Sequence, residues 1–322
     1  IVSHCDQSVS GSLDIPSSYN YLPVTSIGNQ AFFSCESLNS ITIPDSVTSI
    51  GSRAFYQCSS LSSISISDNV TSIGNDAFER ISLKFVQDSN SINYLISQSG
   101  SSAYLINGKL VSGSAKIPEL VSGATVKLIA DMAFQQNANL KVITIPNSVI
   151  SIGPYAFRDC TSLLSVTISN SVTAISENVF RNCSSLVDIT IPDGVTLIGS
   201  SAFSNCTSMI NVTIPDSVTS IESNAFDNCT SLTNVTMGNS VTTIGSGAFY
   251  LCKSVTNIKI PDSVTSIGLS AFSYCTSLIS VTIPDSVTSI GSSAFSNCSS
   301  LTSIAIPDSV AVIMEHTFRN CS

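Results

Sequence analysis

The sequence carries little charge. Only 10% of its 322 residues are Asp, Glu, Lys or Arg, compared with about 25% in an average soluble domain. The 12 Lys and Arg residues are scattered, and the formal net charge is −9. Because nucleic-acid phosphates are bound by clustered basic side chains, this composition argues against a nucleic-acid partner. The polar surface must instead consist mainly of Ser, Thr and Asn.

Histidine is almost absent as well. His4 and His316 are the only two, and they stand near opposite ends of the chain. A Ser-His-Asp triad therefore cannot form among the abundant serines. We predict a protein that is not an enzyme, with no catalytic residues and no cofactor.

Long apolar runs are also missing. No stretch of eighteen apolar residues occurs, so we expect no membrane insertion within this segment. The chain opens at Ile1 without a signal-peptide pattern and closes with Cys321-Ser322, two residues into a new repeat. We expect a trimmed piece of a longer protein, truncated at the C-terminus.

What the sequence does have is a period of 23 residues, marked by phenylalanine. Twelve of the 14 Phe residues share this register: Phe32, Phe55, Phe78, Phe134, Phe157, Phe180, Phe203, Phe226, Phe249, Phe272, Phe295 and Phe318. A period between about 20 and 50 residues is typical of a solenoid, in which each repeat is one coil of a stack. A single repeat buries too little apolar surface to fold alone, so stacking must supply its stability.

Each repeat predicts its own local structure. Val281 and Ile283 alternate with polar neighbours as in a strand, and Pro284 ends that strand because it has no N–H to donate. Gly291 is expected to adopt a positive φ, and the short stretch before Phe295 predicts a single turn or a 3₁₀ segment. The predicted fold is an α/β-type solenoid of about 13 coils, with a parallel β-sheet on the concave face and short 3₁₀, helical or irregular segments on the other.

The array predicts one solenoid domain over residues 1–322 with three parts. Residues 1–85 are N-terminal coils, 86–118 an irregular insertion that contains a hairpin, and 119–322 regular 23-residue coils. We place the hairpin on a type I′ turn at Asn107-Gly108. Two coils are lengthened, since Val24 and Val126 follow Pro16 and Pro118 by eight positions, where the standard repeat has three.

The repeats resemble the BspA-like (Treponema-type) leucine-rich repeats. The motif Cys-x-x-Leu-x-x-Ile-x-Ile-Pro-x-x-Val-x-x-Ile-Gly-x-x-Ala-Phe is nearly unbroken from Cys160 to Phe318. Its departures include Ser176 and Glu222 for Gly, Met237-Gly238 for Ile-Pro, and Thr317 for Ala. The resemblance implies an extracellular or cell-surface protein that adheres to a host matrix protein, another cell or a glycan. It implies no shared catalytic residues.

Ten of the 11 cysteines lie in register with the repeat. We interpret Cys160, Cys183, Cys206, Cys229, Cys252, Cys275 and Cys298 as a structural column of buried free thiols, with Cys35, Cys58 and Cys321 as its other members. Disulfides within the column remain an alternative, but zinc sites use closely spaced pairs, so we predict no metal there. Cys5 lies outside the column and is the candidate reactive thiol. A row of turn carboxylates, Asp45, Asp193, Asp216, Asp262, Asp285 and Asp308, is ordinary turn chemistry, with calcium binding as the weaker alternative.

The outward residues of the predicted strands are the candidate ligand-binding site. They form a row of Thr144, Thr167, Thr190, Thr213, Thr236, Lys259 and Thr282, a polar row that includes Asp188, Asn211, Asn234 and Asn257, and an apolar streak of Leu164, Val187, Ile210 and Ile279. Repeat proteins commonly bind partners along such faces, although Thr is also simply a good strand former.

We predict a protein or glycan ligand, including host extracellular matrix, for this face. Alternatives are a structural spacer that presents another domain and, more weakly, ice binding through the Thr column. The last coil also predicts self-association, because it leaves an apolar end uncapped. Eight Asn-x-Ser/Thr sequons occur, and most follow from the repeat itself.

Overall fold

The computed structural model describes residues 1–321, which contain 29 strands and no helix. The strands up to residue 129 are β1 (Gly11–Asp14), β2 (Ser18–Tyr19), β3 (Leu22–Pro23), β4 (Ser26–Ile27), β5 (Leu38–Thr42), β6 (Ser49–Ile50), β7 (Ser63–Ser65), β8 (Ser72–Ile73), β9 (Val86–Gln87), β10 (Asn93–Ile96), β11 (Ser102–Asn107), β12 (Gly113–Lys116), β13 (Leu120–Val121) and β14 (Ala124–Ile129). The others are β15 (Leu140–Thr144), β16 (Ser151–Ile152), β17 (Ser165–Thr167), β18 (Ala174–Ile175), β19 (Asp188–Thr190), β20 (Leu197–Ile198), β21 (Asn211–Ile214), β22 (Ser220–Ile221), β23 (Asn234–Met237), β24 (Thr243–Ile244), β25 (Asn257–Lys259), β26 (Ser266–Ile267), β27 (Ser280–Thr282), β28 (Ser289–Ile290) and β29 (Ser303–Ala305).

The chain divides into two compact units. Unit 1 comprises Ile1–Leu110, Pro118–Ala133 and Ser148–Gly153. Unit 2 comprises Val111–Ile117, Phe134–Asn147 and the chain from Pro154 onward. In each unit, strands of successive repeats pair in parallel, as expected for stacked coils. The prediction of a parallel-strand solenoid is therefore confirmed.

Unit 1 contains two short parallel ladders, β1-β5-β7 and β4-β6-β8. It also contains a mixed sheet in the order β13-β14-β11-β10-β9, with β16 paired to β14. The two lengthened coils fold as β-hairpins, β2–β3 and β13–β14. Their turn residues Asn20, Tyr21, Ser122 and Gly123 all have positive φ, as a type I′ hairpin turn requires.

The insertion of unit 1 does contain a hairpin, but not at Asn107-Gly108. Strand β10 pairs antiparallel with β11, and residues 97–101 connect them. Asn107 is instead the last residue of β11, and its side-chain oxygen accepts a hydrogen bond from the Lys109 N–H at 2.9 Å. The Asn-Gly prediction was wrong because this side chain forms a local turn that the chain leaves without folding back.

Unit 2 is more regular. Its longer strands form the ladders β12-β15-β17-β19-β21-β23 and β25-β27-β29, and its two-residue strands form the ladder β18-β20-β22-β24-β26-β28. Its Phe rings stack from Phe134 to Phe318 with centroids 4.8–5.8 Å apart and planes within 11° of parallel. This separation is close to the spacing of neighbouring strands, about 4.8 Å, so the repeat period sets the ring column.

The predicted helical or 3₁₀ segment before each Phe is wrong, and only its irregular alternative fits. In the coil of Phe295, the N–H groups of Ser293, Phe295 and Asn297 donate to carbonyls of the next coil at 3.2, 2.9 and 2.7 Å. Ser293 and Asn297 have φ of 58° and 60°. Because alternate N–H groups point to the neighbouring coil, they are not available for bonds within a helix.

The repeat glycine has a different role from the one predicted. Gly291 is not among the residues with positive φ. A Cβ added to it would lie 2.5 Å from the backbone nitrogen of Leu269 in the preceding coil. Glycine therefore permits the close approach of two backbones at this position.

Candidate functional site

The Thr row of unit 2 lies on one outward surface. Strands β15, β17, β19, β21 and β23 pair in register, so that Thr144, Thr167, Thr190, Thr213 and Thr236 are consecutive partners. Thr144 is half-buried and the other four are exposed. The outward side chains of these five strands are named the strand face below.

Lys259 and Thr282 belong to a separate sheet. They are partners on β25 and β27, but β23 and β25 are not paired, so the ladder that contains the strand face ends at β23. The two-residue strands of the same coils, β24 and β26, remain paired. Thr236 and Lys259 nevertheless line one hollow of about 260 Å³, so the break interrupts the strand pairing and not the predicted row.

The interruption coincides with a departure from the repeat. Met237-Gly238 stands where most coils have Ile-Pro. A Cβ on Gly238 would lie 2.3 Å from the carbonyl oxygen of Pro215, so this coil touches the preceding backbone closely. The coil of β23 therefore lies close to the coil of β21 on one side, and on its other side β23 does not pair with β25.

The predicted polar row forms side-chain hydrogen bonds between coils. The Asn234 Nδ2 donates to Asn211 Oδ1 at 2.7 Å, and in the second sheet the Ser280 hydroxyl donates to Asn257 Oδ1 at 2.8 Å. All four residues are exposed. These bonds hold the amides in fixed orientations, so the row presents ordered donors and acceptors to a partner.

The apolar streak lies beside the polar row. Leu164 and Ile210 are 46% and 42% exposed, and Val187 between them is half-buried. Backbone bonds from Val187 to Leu164 and from Ile210 to Val187 keep the three in one line. Ile279 is also exposed, at 48%, but belongs to the coil of β27. The strand face therefore combines an apolar line with hydroxyl and amide groups.

Two open hollows follow the strand face. One, of about 880 Å³, is lined by residues that include Thr190, Thr213, Thr236, Pro215 and Gly238. The other, of about 490 Å³, includes Thr167, Asp188, Thr190, Asn211 and Thr213. Because Thr190 and Thr213 line both, the hollows form one extended depression along this surface.

Charge is sparse around the depression. Asp188 is on the polar row, and the exposed turn residues Asp193 and Asp216 lie at the edge of the larger hollow. The Asp216 carboxylate accepts a hydrogen bond from the Asn239 N–H at 2.7 Å, so it supports the turn of the next coil. Within residues 1–321, no three His, Cys, Asp or Glu side chains are grouped as metal ligands.

The cysteine column lies inside the stack and away from the strand face. Cys160, Cys183, Cys206, Cys229, Cys252, Cys275 and Cys298 are buried, and each thiol donates to the carbonyl oxygen of the Phe 26 residues earlier at 3.1–3.3 Å. Burial raises the pKa of Cys160 and Cys298 to about 12. The thiols therefore stay protonated as hydrogen-bond donors at neutral pH.

Sequence reasoning missed the exposed hairpin of unit 1, β2–β3. Tyr19 and Leu22 are each 71% exposed, and Tyr21 is fully exposed in its turn. The signal was the lengthened coil between Pro16 and Val24 together with the apolar character of its added residues. An exposed pair of tyrosines on a hairpin is a second surface suited to contact with a partner.

Comparison with protein families shows a match to the BspA type leucine rich repeat region, in six copies. The matched stretches are residues 10–121, 104–229 and 196–322, which together cover nearly the whole chain. No curated protein matches the chain.

Several solved structures are similar to this chain. A leucine-rich repeat protein from T. pallidum is 24% identical, with a TM-score of 0.49 over 67% of this chain and 90% of its own. A leucine rich cell surface protein from Faecalibacterium prausnitzii is 29% identical, with a TM-score of 0.43 over 92% and 87%. The pneumococcal vaccine antigen PcpA is 20% identical, with a TM-score of 0.47 over 96% and 84%.

Proposed function

The chain belongs to the BspA-type leucine-rich repeat family, and from this premise we propose that it is a surface protein that binds a protein or glycan partner through the strand face. The match confirms the resemblance indicated by the repeat motif. Leucine-rich repeat proteins of this kind are generally non-enzymatic binding scaffolds. Residues 1–321 include no helix suited to crossing a bilayer.

The observation that carries the proposal is the depression along the strand face. Thr190 and Thr213 line both of its hollows, and ordered Asn amides and the Leu164–Ile210 streak lie beside them. A broad surface that combines apolar groups with polar groups of fixed orientation is typical of a contact site. Its length along several coils suits an extended partner, such as a protein strand, a loop or a glycan chain.

The low charge of this surface predicts how the partner is held. Electrostatic steering depends on opposed charge and weakens as salt rises. Of the residues that the Thr row, the polar row and the apolar streak place on the strand face, Asp188 is the charged one. We therefore expect affinity to change little between low and high salt.

The test uses arrays of immobilised extracellular-matrix proteins and of neutral and acidic glycans. A Thr190→Glu/Thr213→Glu variant places two charges in the depression. It should no longer bind the immobilised ligands that the unaltered protein binds. The matched control is Thr196→Glu/Thr219→Glu, which changes two exposed Thr residues of the same coils that lie outside the strand face. The control should bind normally, and both variants should unfold at the same urea concentration as the parent.

Two outcomes would contradict the proposal. Equal binding by the parent and the strand-face variant would favour the spacer alternative, in which the repeats project another domain. An affinity that collapses on raising the salt concentration would show that charged groups, and not the apolar and neutral polar groups of the strand face, hold the partner.

We also propose self-association through the coil of β29. Val312, Ile313 and Met314 of this coil are exposed, and burying such a cluster against a second molecule would be favourable. Sedimentation equilibrium should show a concentration-dependent dimer that Ile313→Asp disrupts. A monomer at all concentrations would remove this part of the proposal.

A further inference from the structure

Cys35 differs from the other cysteines of the column. Each column thiol from Cys58 to Cys321 donates to a Phe carbonyl of the preceding coil, at 2.9–3.3 Å. Cys35 has no such Phe before it, and its sulfur contacts the carbonyl oxygen of Asp6 at 3.9 Å. Its thiol is thus the column member without a short bond to a carbonyl.

A second thiol lies beside it. The Cys5 sulfur contacts the same Asp6 oxygen at 3.6 Å, and Cys5 is packed against the core cluster that includes Cys35. The backbone holds this segment in place, because the Cys5 N–H donates to Ala31 O at 2.7 Å and Val2 bridges to Ile27. The Cys5 and Cys35 sulfurs therefore lie beside the same carbonyl oxygen, in a segment that backbone bonds of unit 1 hold in position.

The two thiols also differ in access. Cys35 is buried, whereas Cys5 is half-buried and can be reached by a small reagent. Burial raises the pKa of Cys35 to about 12, and burial also raises the pKa of Cys5. Exchange should accordingly be slow at neutral pH and begin at the accessible sulfur.

We propose that Cys5 and Cys35 form a disulfide when the protein meets a small-molecule disulfide such as oxidised glutathione. The Cys5 thiolate attacks one sulfur of the reagent, forms a mixed disulfide and releases one thiol. The Cys35 thiolate then attacks the Cys5 sulfur and releases the second thiol. The protein loses two protons and two electrons, and the reagent is reduced to two thiols.

The bond would attach the N-terminal segment to the first coil. It closes a loop of about 30 residues, a length at which cross-linking restricts the unfolded chain substantially. It also joins residues already placed together in the native fold, so little rearrangement is needed. The disulfide would then fix the N-terminal segment of unit 1 covalently. The thiols of the later column cysteines would stay free.

The chain supplies its own control pair. Cys298 and Cys321 are also buried and half-buried, respectively. Both of their thiols, however, donate to Phe carbonyls at 3.1 Å. If exposure alone decided oxidation, this pair would react as readily as Cys5 and Cys35. If the missing bond to a Phe carbonyl decides it, the pair should stay reduced.

The experiment treats the folded protein with oxidised glutathione, blocks free thiols by alkylation under denaturing conditions, and maps the peptides. Trypsin is unsuitable because no Lys or Arg precedes Arg53, so both cysteines stay in one peptide. Cleavage after acidic residues separates them at Asp6, Asp14 and Glu36, and separates the control pair at Asp308 and Glu315. We expect a linked peptide pair from Cys5 and Cys35 and two fewer alkylated sites than the 11 of the reduced chain.

A Cys5→Ser variant tests whether the linked peptide pair requires Cys5. Cys5→Ser should retain the circular dichroism spectrum, lose the linked pair and leave Cys35 free. Glutathione retained on Cys5 without linkage to Cys35 would overturn the proposal, as would linkage that appears only after unfolding in urea. Equal linkage of Cys298 to Cys321 would also overturn it, because the distinguishing geometry would then have no effect.

Discussion

Each unit contains its own stack of Phe rings, but the two units hold their coils together differently. In unit 2 the same contacts recur coil after coil, as in the six-stranded ladder β18-β20-β22-β24-β26-β28 and the repeated bond from a Cys thiol to a Phe carbonyl. Unit 1 has ladders of only three strands and a mixed sheet from its insertion. Regular repetition spreads stability over many small contacts, whereas the irregular unit depends on a few specific ones.

Those specific contacts of unit 1 centre on Asp68 and two tyrosines. The hydroxyls of Ser99 and Ser101 donate to the Asp68 carboxylate at 2.5 and 2.9 Å. The buried Tyr104 donates its hydroxyl to Ser67 O at 2.6 Å, and Tyr94 donates to a carboxylate oxygen of Asp88 at 3.0 Å. The bonds to Asp68 and Ser67 thus fasten the hairpin of the insertion to the neighbouring coil, where unit 2 would use a further ladder, and the Tyr94 bond lies within the insertion.

Alkaline pH should produce the largest difference in stability between the two units. The thiols of Cys160 and Cys298 have pKa values raised by burial to about 12, compared with about 8.5 in an unfolded chain. A raised pKa gives stability that is present below the unfolded value and lost as pH rises towards the folded one. The expected loss is about 1.4 kcal/mol per pH unit for each such thiol.

Because unit 2 contains most of the column, its amide protons should lose protection at a lower pH than those of unit 1. Hydrogen exchange of each unit between neutral pH and about pH 10 measures this. Replacing Cys5, Cys35 and Cys58 with Ala is the control and should leave the alkaline loss of unit 2 unchanged. Equal pH sensitivity of both units would remove the thiol column as the source of the difference.

Removing one stacked ring should cost a similar amount in either unit. Phe203 lies between Phe180 and Phe226 at 5.5 and 5.2 Å, and Phe55 lies between Phe32 and Phe78 at 5.1 and 5.5 Å. Both rings are fully buried, so Phe203→Ala and Phe55→Ala should each destabilise the protein by about 3–5 kcal/mol.

Urea unfolding of the two variants measures these costs. Phe33→Ala serves as the comparison, because Phe33 is half-buried although it also stacks on a ring, Tyr56, at 5.6 Å. It should cost clearly less than the core rings. A large difference between the Phe203 and Phe55 variants would mean that the ring columns of the two units do not contribute equally to stability.

Asp68→Asn should loosen the insertion without unfolding unit 1. Hydrogen bonds from Ser97 and Ser99 lower the pKa of the Asp68 carboxyl, so its stabilising effect is present above the ordinary carboxyl pKa of about 3.9. It is lost as pH falls through the lower value of the folded state. The variant should show faster amide exchange at residues 97–102, with its acid dependence reduced.

The control for this experiment is Asp285→Asn, which changes an exposed turn carboxylate of unit 2. Its effect on exchange at residues 97–102 should be nil. Unchanged exchange in the Asp68 variant would show that the backbone of β10 and β11, and not these hydroxyl bonds, fixes the loop.

The smallest expected effect is on the stability of the strand face. Thr213→Glu replaces an exposed side chain with no core contact to lose, so the free energy of unfolding should change by less than about 0.5 kcal/mol. Calorimetry of this single variant measures it. A much larger loss would mean that the Thr row supports the sheet, which would weaken the case for a binding surface.

Much of the strand face could be predicted from the sequence, because alternation in a strand decides which residues face outward. Thr167, Thr190, Thr213 and Thr236 are exposed on consecutive strands, as the pattern indicates. The break in pairing between β23 and β25 was not predictable, since alternation within a strand does not determine which strands pair. Whether a partner binds there stays a prediction.

The sequence by itself determined the solenoid and its interior. A 23-residue period places twelve Phe, ten Cys and the inward Ile residues at fixed positions of the coils, and burial of these side chains requires the coils to stack. Only the tertiary structure decided the turns before each Phe and the proximity of Cys5 to Cys35. These depend on bonds and contacts between residues more than twenty positions apart, such as Phe295 N to Thr317 O, which local sequence preferences do not specify.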